Sequence, residues 1–306
     1  MSVGFEEALK NRSIAYRKNV LTATLSTFRI GGACPYVVEP CCIGELCDVL
    51  ALCRQTALSY ALIGRASNIL FDDTDLPSVL VRTVRLDAVK WEGNGILRAD
   101  CGVLLPRLAH CTAKAGYGDL CFAAGIPGTV GGGIYMNAGA HGKDLGSLIK
   151  YVVCYEPYGD KITTYFNKEL SFCYRKSDFQ TNNAIILQAA FQLVDLAPPA
   201  VLQARIKAFL ARRRDTQPLQ QPSAGSVFLR PDSGEPMGKI LDELGLKGMR
   251  CGNAAVSSKH AGFIVNLGGA TAADVLTLIG KIQEIVEKER GFRPVPEIRY
   301  ITEKKK

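Results

Sequence analysis

No stretch of this 306-residue chain approaches the roughly 20 consecutive apolar residues that cross a bilayer. The opening MSVGFEEALKNRS carries two early glutamates and lacks the apolar core of a secretion signal. The expectation is therefore a cytoplasmic protein. Histidine is scarce, with only His110, His141 and His260, and no two of the eleven cysteines are spaced Cys-x-x-Cys. That pattern lacks a zinc framework, and no metal site is expected. An odd number of cysteines with no export signal reads as reduced thiols. Cys47, Cys53, Cys111 and Cys154 lie among apolar neighbours, where cysteine acts as a small hydrophobe. There is no internal repeat, and only residues 303–306 look like a loose, basic tail. What is present is globular: 47% hydrophobic and 22% charged residues exclude a disordered chain. A net charge of +8 suits anionic partners or simply solubility. No nucleic-acid-binding module or aromatic–basic alternation accompanies it.

Helix-like and strand-like segments alternate through the first two thirds of the chain. Ile43, Leu46, Cys47, Leu50 and Cys53 recur at helical spacing after Pro40. Strands are predicted at 60–63, 78–81, 95–101, 151–155 and 184–194, and a helix near 106–114 ended by Gly116. Pro198-Pro199 begins a helix striped by Leu202, Ile206, Phe209 and Leu210 and finished by Arg212, Arg213 and Arg214, cations that complement its dipole. Thr271 and Asp274 resemble a capping pair for a helix that runs to Gly291. A last strand is predicted over 297–302. The domain boundary falls near 195.

Two loops carry chemical interest. Gly64-Arg65-Ala66-Ser67-Asn68 joins two strand-like segments, and its amides and polar side chains suit phosphate oxygens, although an ordinary turn has the same composition. The second starts as Gly125-Ile126-Pro127-Gly128-Thr129-Val130-Gly131-Gly132-Gly133 and continues through Asn137-Ala138-Gly139-Ala140-His141-Gly142. Seven glycines in that span suggest backbone lying against a large ligand. Neither the Walker pattern nor a GxGxxG dinucleotide fingerprint is present.

Taken with Ser26-Thr27-Phe28-Arg29-Ile30-Gly31-Gly32, Tyr174-Arg175-Lys176-Ser177-Asp178-Phe179, Gln217-Pro218, Pro222-Ser223-Ala224-Gly225-Ser226-Val227-Phe228 and Lys259-His260-Ala261-Gly262-Phe263-Ile264-Val265-Asn266, these loops form an ordered set. From about residue 20 to residue 302 the chain resembles the UDP-N-acetylenolpyruvoylglucosamine reductase (MurB) family, in its shorter form without a substrate-covering insert. The resemblance implies an α+β fold. A two-subdomain FAD-binding unit of the vanillyl-alcohol-oxidase (PCMH) type would span residues 21–195, as 21–82 and 83–195, after a short N-terminal segment, 1–20. A smaller α+β substrate domain would follow at 196–302. It implies FAD and NADPH as cofactors and the enolpyruvyl UDP-sugar as substrate, with no nucleic acid, no membrane insertion and no obligate protein partner. FAD would be held by Gly64, Arg65, Ala66, Ser67, Asn68, Ile126, Gly128, Thr129 and Gly132, and by Asn137, Ala138 and Gly139 close to its ring. The family usually carries glycine where this chain has Ala66, and often lysine where it has Leu229-Arg230.

By the same resemblance, Arg175 would stabilise the substrate carboxylate, Ser226 would protonate a carbanionic carbon, and Glu297 would assist proton delivery. His141, Arg213, Gln217 and Lys239 would contact substrate, His141 having packing as an equal alternative. His260 reads as a hydrogen-bonded structural histidine. Two other functions remain compatible with the residues. One is a flavin oxidoreductase of the same fold acting on an alcohol or hydroxy acid; the other is a non-catalytic nucleotide- or nucleic-acid-binding protein.

Overall fold

The computed structural model describes residues 2–303; Lys304, Lys305 and Lys306, most of the expected tail, lie outside the described residues. Its helices are α1 (Ser2–Asn11), α2 (Ile43–Gln55), α3 (Leu105–Lys114), α4 (Val130–Tyr135), α5 (Pro199–Thr216), α6 (Met237–Glu243) and α7 (Ala272–Arg290). Among the described residues, no helix is long and apolar enough to cross a membrane.

Tertiary contacts gather the chain into two compact units. The first takes residues up to Arg17, Val37–Arg65 and Val79–Arg213; the second takes Lys18–Tyr36, Ala66–Ser78 and the chain from Arg214 onward. This division is not the single cut near 195 that the sequence suggests. The second unit draws two segments from early in the chain, and most of α5 belongs with the first.

In the first unit, an antiparallel sheet runs in the order Lys161–Phe166, Ile149–Glu156, Ile185–Gln192, Ile96–Asp100, Val89–Gly93. Ala189 of the central strand pairs with Val152 on one side and Ala99 on the other. That strand is buried on nearly every residue, whereas the edge strand Lys161–Phe166 alternates between exposed and half-buried positions, as a one-sided strand does. Asn94-Gly95 turns the hairpin at the other edge, with φ of 51° and 71°, the left-handed pair a tight type I′ turn requires. Strands Tyr60–Ile63 and Val79–Arg82 pair in parallel. Nearby in sequence, α2 buries Leu46, Val49, Leu50, Leu52 and Cys53, the apolar face seen in the sequence. On α5 the predicted stripe narrows: Leu202 and Ile206 are buried, and Leu210 is 37% exposed.

In the second unit, a four-stranded antiparallel sheet runs Ser223–Ser226, Phe263–Asn266, Ala254–Val256, Arg250–Cys251. Its core joins Val275, Leu278 and Ile282 of α7 to Ile264 and to Phe28 and Leu70 from the early segments. Those segments are stitched in by hydrogen bonds. Thr27 Oγ1 donates to Ser223 O at 2.8 Å, and the buried Asn266 donates to the carbonyls of Phe28 and Arg29 at 3.2 Å each. Ile69–Phe71 pairs in parallel with the last strand, Arg299–Ile301. The capping box on α7 is formed as expected: Thr271 Oγ1 accepts from Asp274 N at 3.0 Å and Asp274 accepts from Thr271 N at 3.1 Å. Gly291 closes the helix at φ 76°.

Candidate active site

In the first unit the two glycine-bearing loops meet. Gly64 lies so close to Thr129 that any Cβ would run into Thr129 Oγ1. Thr129 caps α4, accepting from Gly132 N, and the amides of Val130 and Gly131 bond the carbonyls of Val103 and Cys101 at 2.8 Å each. Gly131 and Gly133 are packed tight: a Cβ would come within 2.9 Å of Cys101 Cβ or 2.7 Å of Leu145 Cδ1. Gly132 between them is exposed, and the nearest atom to its Cβ position is Thr129 Oγ1 at 3.6 Å. The loop thus presents a crest of bare backbone on a pinned base, which fits a dinucleotide lying against it. Where the chain leaves this unit at Arg65, Ala66 takes φ 51° with its methyl buried. A non-glycine residue in the left-handed region costs about 1–2 kcal/mol.

The second loop continues to a hairpin, Gly139–Ala140 against Lys143–Asp144, turned by His141-Gly142 at φ 55° and 79°. His141 stacks on Phe209 of α5, ring centroids 3.9 Å apart, and burial with the nearby Arg212 charge lowers its pKa. Of the two readings open for His141, packing is the one with a visible partner. Arg213, on the same helix, backs onto the glycine loop: a Cβ on Gly125 would lie 3.2 Å from Arg213 Cδ. Burial disfavours its charge, and among the described residues its buried Nε has no hydrogen-bond partner. A half-buried guanidinium in that state fits an anion beside it.

Arg175 sits at the tip of a second hairpin. Cys173 pairs with Lys176, so Tyr174-Arg175 is a two-residue turn, with Arg175 at φ 58°. Its Nη1 donates to Gly139 O at 3.3 Å, and its guanidinium lies 5.3 Å from the Tyr174 ring centre. Asn137, expected near the flavin ring, is buried with its carboxamide engaged in the protein. Nδ2 donates to Cys173 O at 3.0 Å, and Oδ1 accepts from Gly146 N at 2.8 Å. A ligand reaching this segment meets its backbone. Gln180, one residue past the motif read in the sequence, donates to both Arg175 O at 3.0 Å and Tyr135 O at 2.8 Å.

In the second unit, Ser226 follows Gly225, which takes φ 83°, and the pairing of its strand with Phe263–Asn266 shifts register between Ser223 and Ser226. Such a bulge re-aims a side chain. Among the described residues, the Ser226 hydroxyl has no hydrogen-bond partner, and the residue is half-buried. Val227 ties three segments together: its N–H donates to Gly262 O at 2.9 Å and its carbonyl accepts from Glu297 N at 2.7 Å. Glu297 is therefore bonded through its own main chain to Val227, the residue that follows Ser226. Asn68 Nδ2 donates to Glu297 O at 3.1 Å, and Asn68 O accepts from Arg299 N at 2.9 Å. His260 supports the same corner. Its Nδ1 accepts from Gly262 N at 3.1 Å, and burial lowers its pKa.

Lys239 lies on the short helix α6, bonded to Glu235 at 2.8 Å and near Glu243 at 3.5 Å. These carboxylates, the Glu235 hydrogen bond foremost, raise its pKa. Gln217 is half-buried in a turn where its carbonyl accepts from Leu219 N at 2.9 Å. None of the eleven cysteines forms a disulfide. Cys41, Cys42 and Glu45 bring three ligand-type atoms within 4.8 Å, a cluster that spacing rules did not anticipate. Here Glu45 bonds the N–H and thiol of Cys41 at the start of α2.

Residues 34–160 match the FAD binding domain family, and residues 217–301 match the C-terminal domain of UDP-N-acetylenolpyruvoylglucosamine reductase. The reductase of that name from Caldicellulosiruptor bescii is 38% identical over 301 residues, covering 98% of this chain and 95% of the relative. That from Carboxydothermus hydrogenoformans is 38% identical over 298 residues, covering 97% and 98%. The crystal structure of the Thermus caldophilus enzyme superposes with a TM-score of 0.78 at 29% identity, covering 94% of this chain and 98% of that one. The α+β fold with its vanillyl-alcohol-oxidase-type flavin unit follows from these matches, and the chain belongs to the UDP-N-acetylenolpyruvoylglucosamine reductase family of FAD-dependent oxidoreductases.

Proposed function

We propose that this protein reduces UDP-N-acetylenolpyruvoylglucosamine to UDP-N-acetylmuramate with NADPH, in the cytoplasm, as a step in peptidoglycan precursor synthesis. Near full-length similarity to reductases of that name supports the substrate. In this reading the residues of Gly64–Asn68 and Ile126–Gly132, together with Asn137–Gly139, would hold FAD. When bound there, FAD would supply the redox chemistry that links NADPH to the enolpyruvyl double bond.

The chain's own residues handle the charge and the proton. Hydride addition leaves negative charge on the neighbouring carbon and its carboxylate, and Arg175, permanently charged and planar, stabilises it. Ser226 donates its hydroxyl proton to that carbon, and Glu297, fixed next to it in the second unit, assists proton return to the serine oxygen. Arg213 receives a phosphate anion of the sugar nucleotide, with Gln217, Lys239 and His141 as further contacts. The observation that carries the catalytic part is the bulged Ser226, its hydroxyl unengaged, joined through Val227 to Glu297.

The test is anaerobic mixing of the reduced holoprotein with the enolpyruvyl UDP-sugar. Flavin absorbance returns in step with product if the reading is right. Failure of the sugar to restore it, while an alcohol or hydroxy acid reduces the oxidised holoprotein, favours the rival oxidoreductase.

A further inference from the structure

We propose that Gln180 is a positioning residue that holds Arg175 in its working conformation; this rests on the role given to Arg175 above. Arg175 occupies a left-handed backbone conformation at a two-residue hairpin tip. An arginine there carries about 1–2 kcal/mol of strain, which persists only where surrounding contacts over-determine it. The hairpin itself is too short to do so, with only Phe172–Cys173 and Lys176–Ser177 as its arms. The restraint comes from side chains reaching in from outside.

Gln180 supplies a restraint on Arg175's own backbone. Its single NH₂ group bridges Arg175 O, at 3.0 Å, and Tyr135 O, at 2.8 Å, and its position is set by the short helical turn Asp178–Gln180. Tyr135 is the last residue of α4, whose first turn is the glycine crest. Ser177 Oγ bonds the same Tyr135 carbonyl at 2.8 Å, and Asn137 Nδ2 bonds Cys173 O at 3.0 Å, so the hairpin is fastened to the flavin segment on both arms. Gln180 therefore couples the orientation of Arg175 to the end of the helix that the cofactor loop starts. An isosteric glutamate has no NH₂ and sets a carboxylate against two carbonyl oxygens, removing both bonds and adding repulsion.

Gln180→Glu, with Gln180→Leu as a second variant lacking the added charge, is compared with Arg175→Lys and with the double variants. Stopped-flow spectroscopy follows NADPH oxidation and sugar reduction separately on each holoprotein. Loss of positioning is expected to slow sugar reduction roughly ten- to a hundredfold at saturating sugar. The rate with NADPH, the FAD content and the melting temperature stay close to those of the parent. In the Arg175→Lys background, either Gln180 change adds little, because what it positions is gone. Hydrogen exchange on the apoprotein is expected to accelerate over residues 172–177. If Arg175→Lys slows sugar reduction while the Gln180 variants do not, or if their effects multiply in the double variants, the positioning role is overturned and Arg175's role stands. If Arg175→Lys itself turns over normally, the underlying reading falls.

Discussion

Arg175 and the Ser226–Glu297 pair are assigned to the same reaction, yet the protein holds them by different means. Arg175 stands on a strained turn braced by the side chains of Gln180 and Asn137. Ser226 and Glu297 are braced by main-chain bonds through Val227, with glycine supplying the one left-handed position at Gly225. A main-chain brace survives most substitutions, since every residue but proline provides it. A side-chain brace is lost to a single change. Residues that never touch the substrate should therefore affect function more around Arg175 than around Ser226.

The sharpest test of the main-chain end removes the functional group and leaves its brace alone. Ser226→Ala is expected to slow sugar reduction by about 10²–10⁴-fold, the range for a positioned general acid, while oxidation of NADPH by the holoprotein is unchanged. Equal losses in both half-reactions would remove Ser226 from proton transfer. A smaller effect is expected for Asn68→Ala, compared at FAD content equal to the parent's because Asn68 also lies in the cofactor loop; the change cuts the bond to Glu297 O and leaves Glu297 N bound to Val227. A loss of a few-fold in sugar reduction, clearly less than for Gln180→Glu, would agree with the contrast, since one hydrogen bond contributes about 0.5–1.5 kcal/mol. A larger loss than Gln180→Glu would break it.

The main-chain end has a weak point in His260. Its Nδ1 accepts from Gly262 N, which only a neutral ring can do, and burial favours that neutral form. The folded pKa lies below the unfolded one, so the unfolded chain binds the proton first. The stability His260 contributes is complete above about pH 6.5 and is lost as the pH falls toward the folded pKa. Melting temperature should decline from about pH 7 to pH 5 more steeply in the parent than in His260→Gln. Identical slopes would place the acid sensitivity elsewhere. The smallest effect is expected at Ala66→Gly. Relief of left-handed strain, about 1 kcal/mol, is offset by loss of a buried methyl, about 0.8 kcal/mol, so chemical denaturation should shift little in either direction.

Much of the local structure was legible. Periodicity located α2, α3 and α5, and the Thr271–Asp274 pair with Gly291 marked both ends of α7. Asn94-Gly95 carries a plain hairpin signal between Val89–Gly93 and Ile96–Asp100, of which the sequence reading predicts only the second as a strand, over 95–101. The stripe on α5 was overdrawn because Phe209 turns to the His141 ring and Leu210 stays 37% exposed. Arg175, Ser226 and Glu297 were visible only through the motifs that surround them, since no spacing rule joins residues so far apart. Gln180 escaped because its partners are backbone carbonyls, which leave no trace in residue types. The make-up of the second unit escaped for a related reason: Thr27–Ser223 and Asn68–Glu297 link distant parts of the chain through main-chain groups.

The threading of that unit has a bearing on how the protein is made. Among the described residues, strand Ile69–Phe71 pairs with Arg299–Ile301, far later in the chain, and Phe28 and Leu70 fill a core whose other walls come from the C-terminal side of residue 223. A ribosome releasing this chain must therefore hold two apolar segments in waiting while the first unit is completed around the gap they leave in the sequence. A fragment begun at the matched C-terminal region would lack those plugs from the outset, and would emerge with an open hydrophobic socket instead of a finished domain.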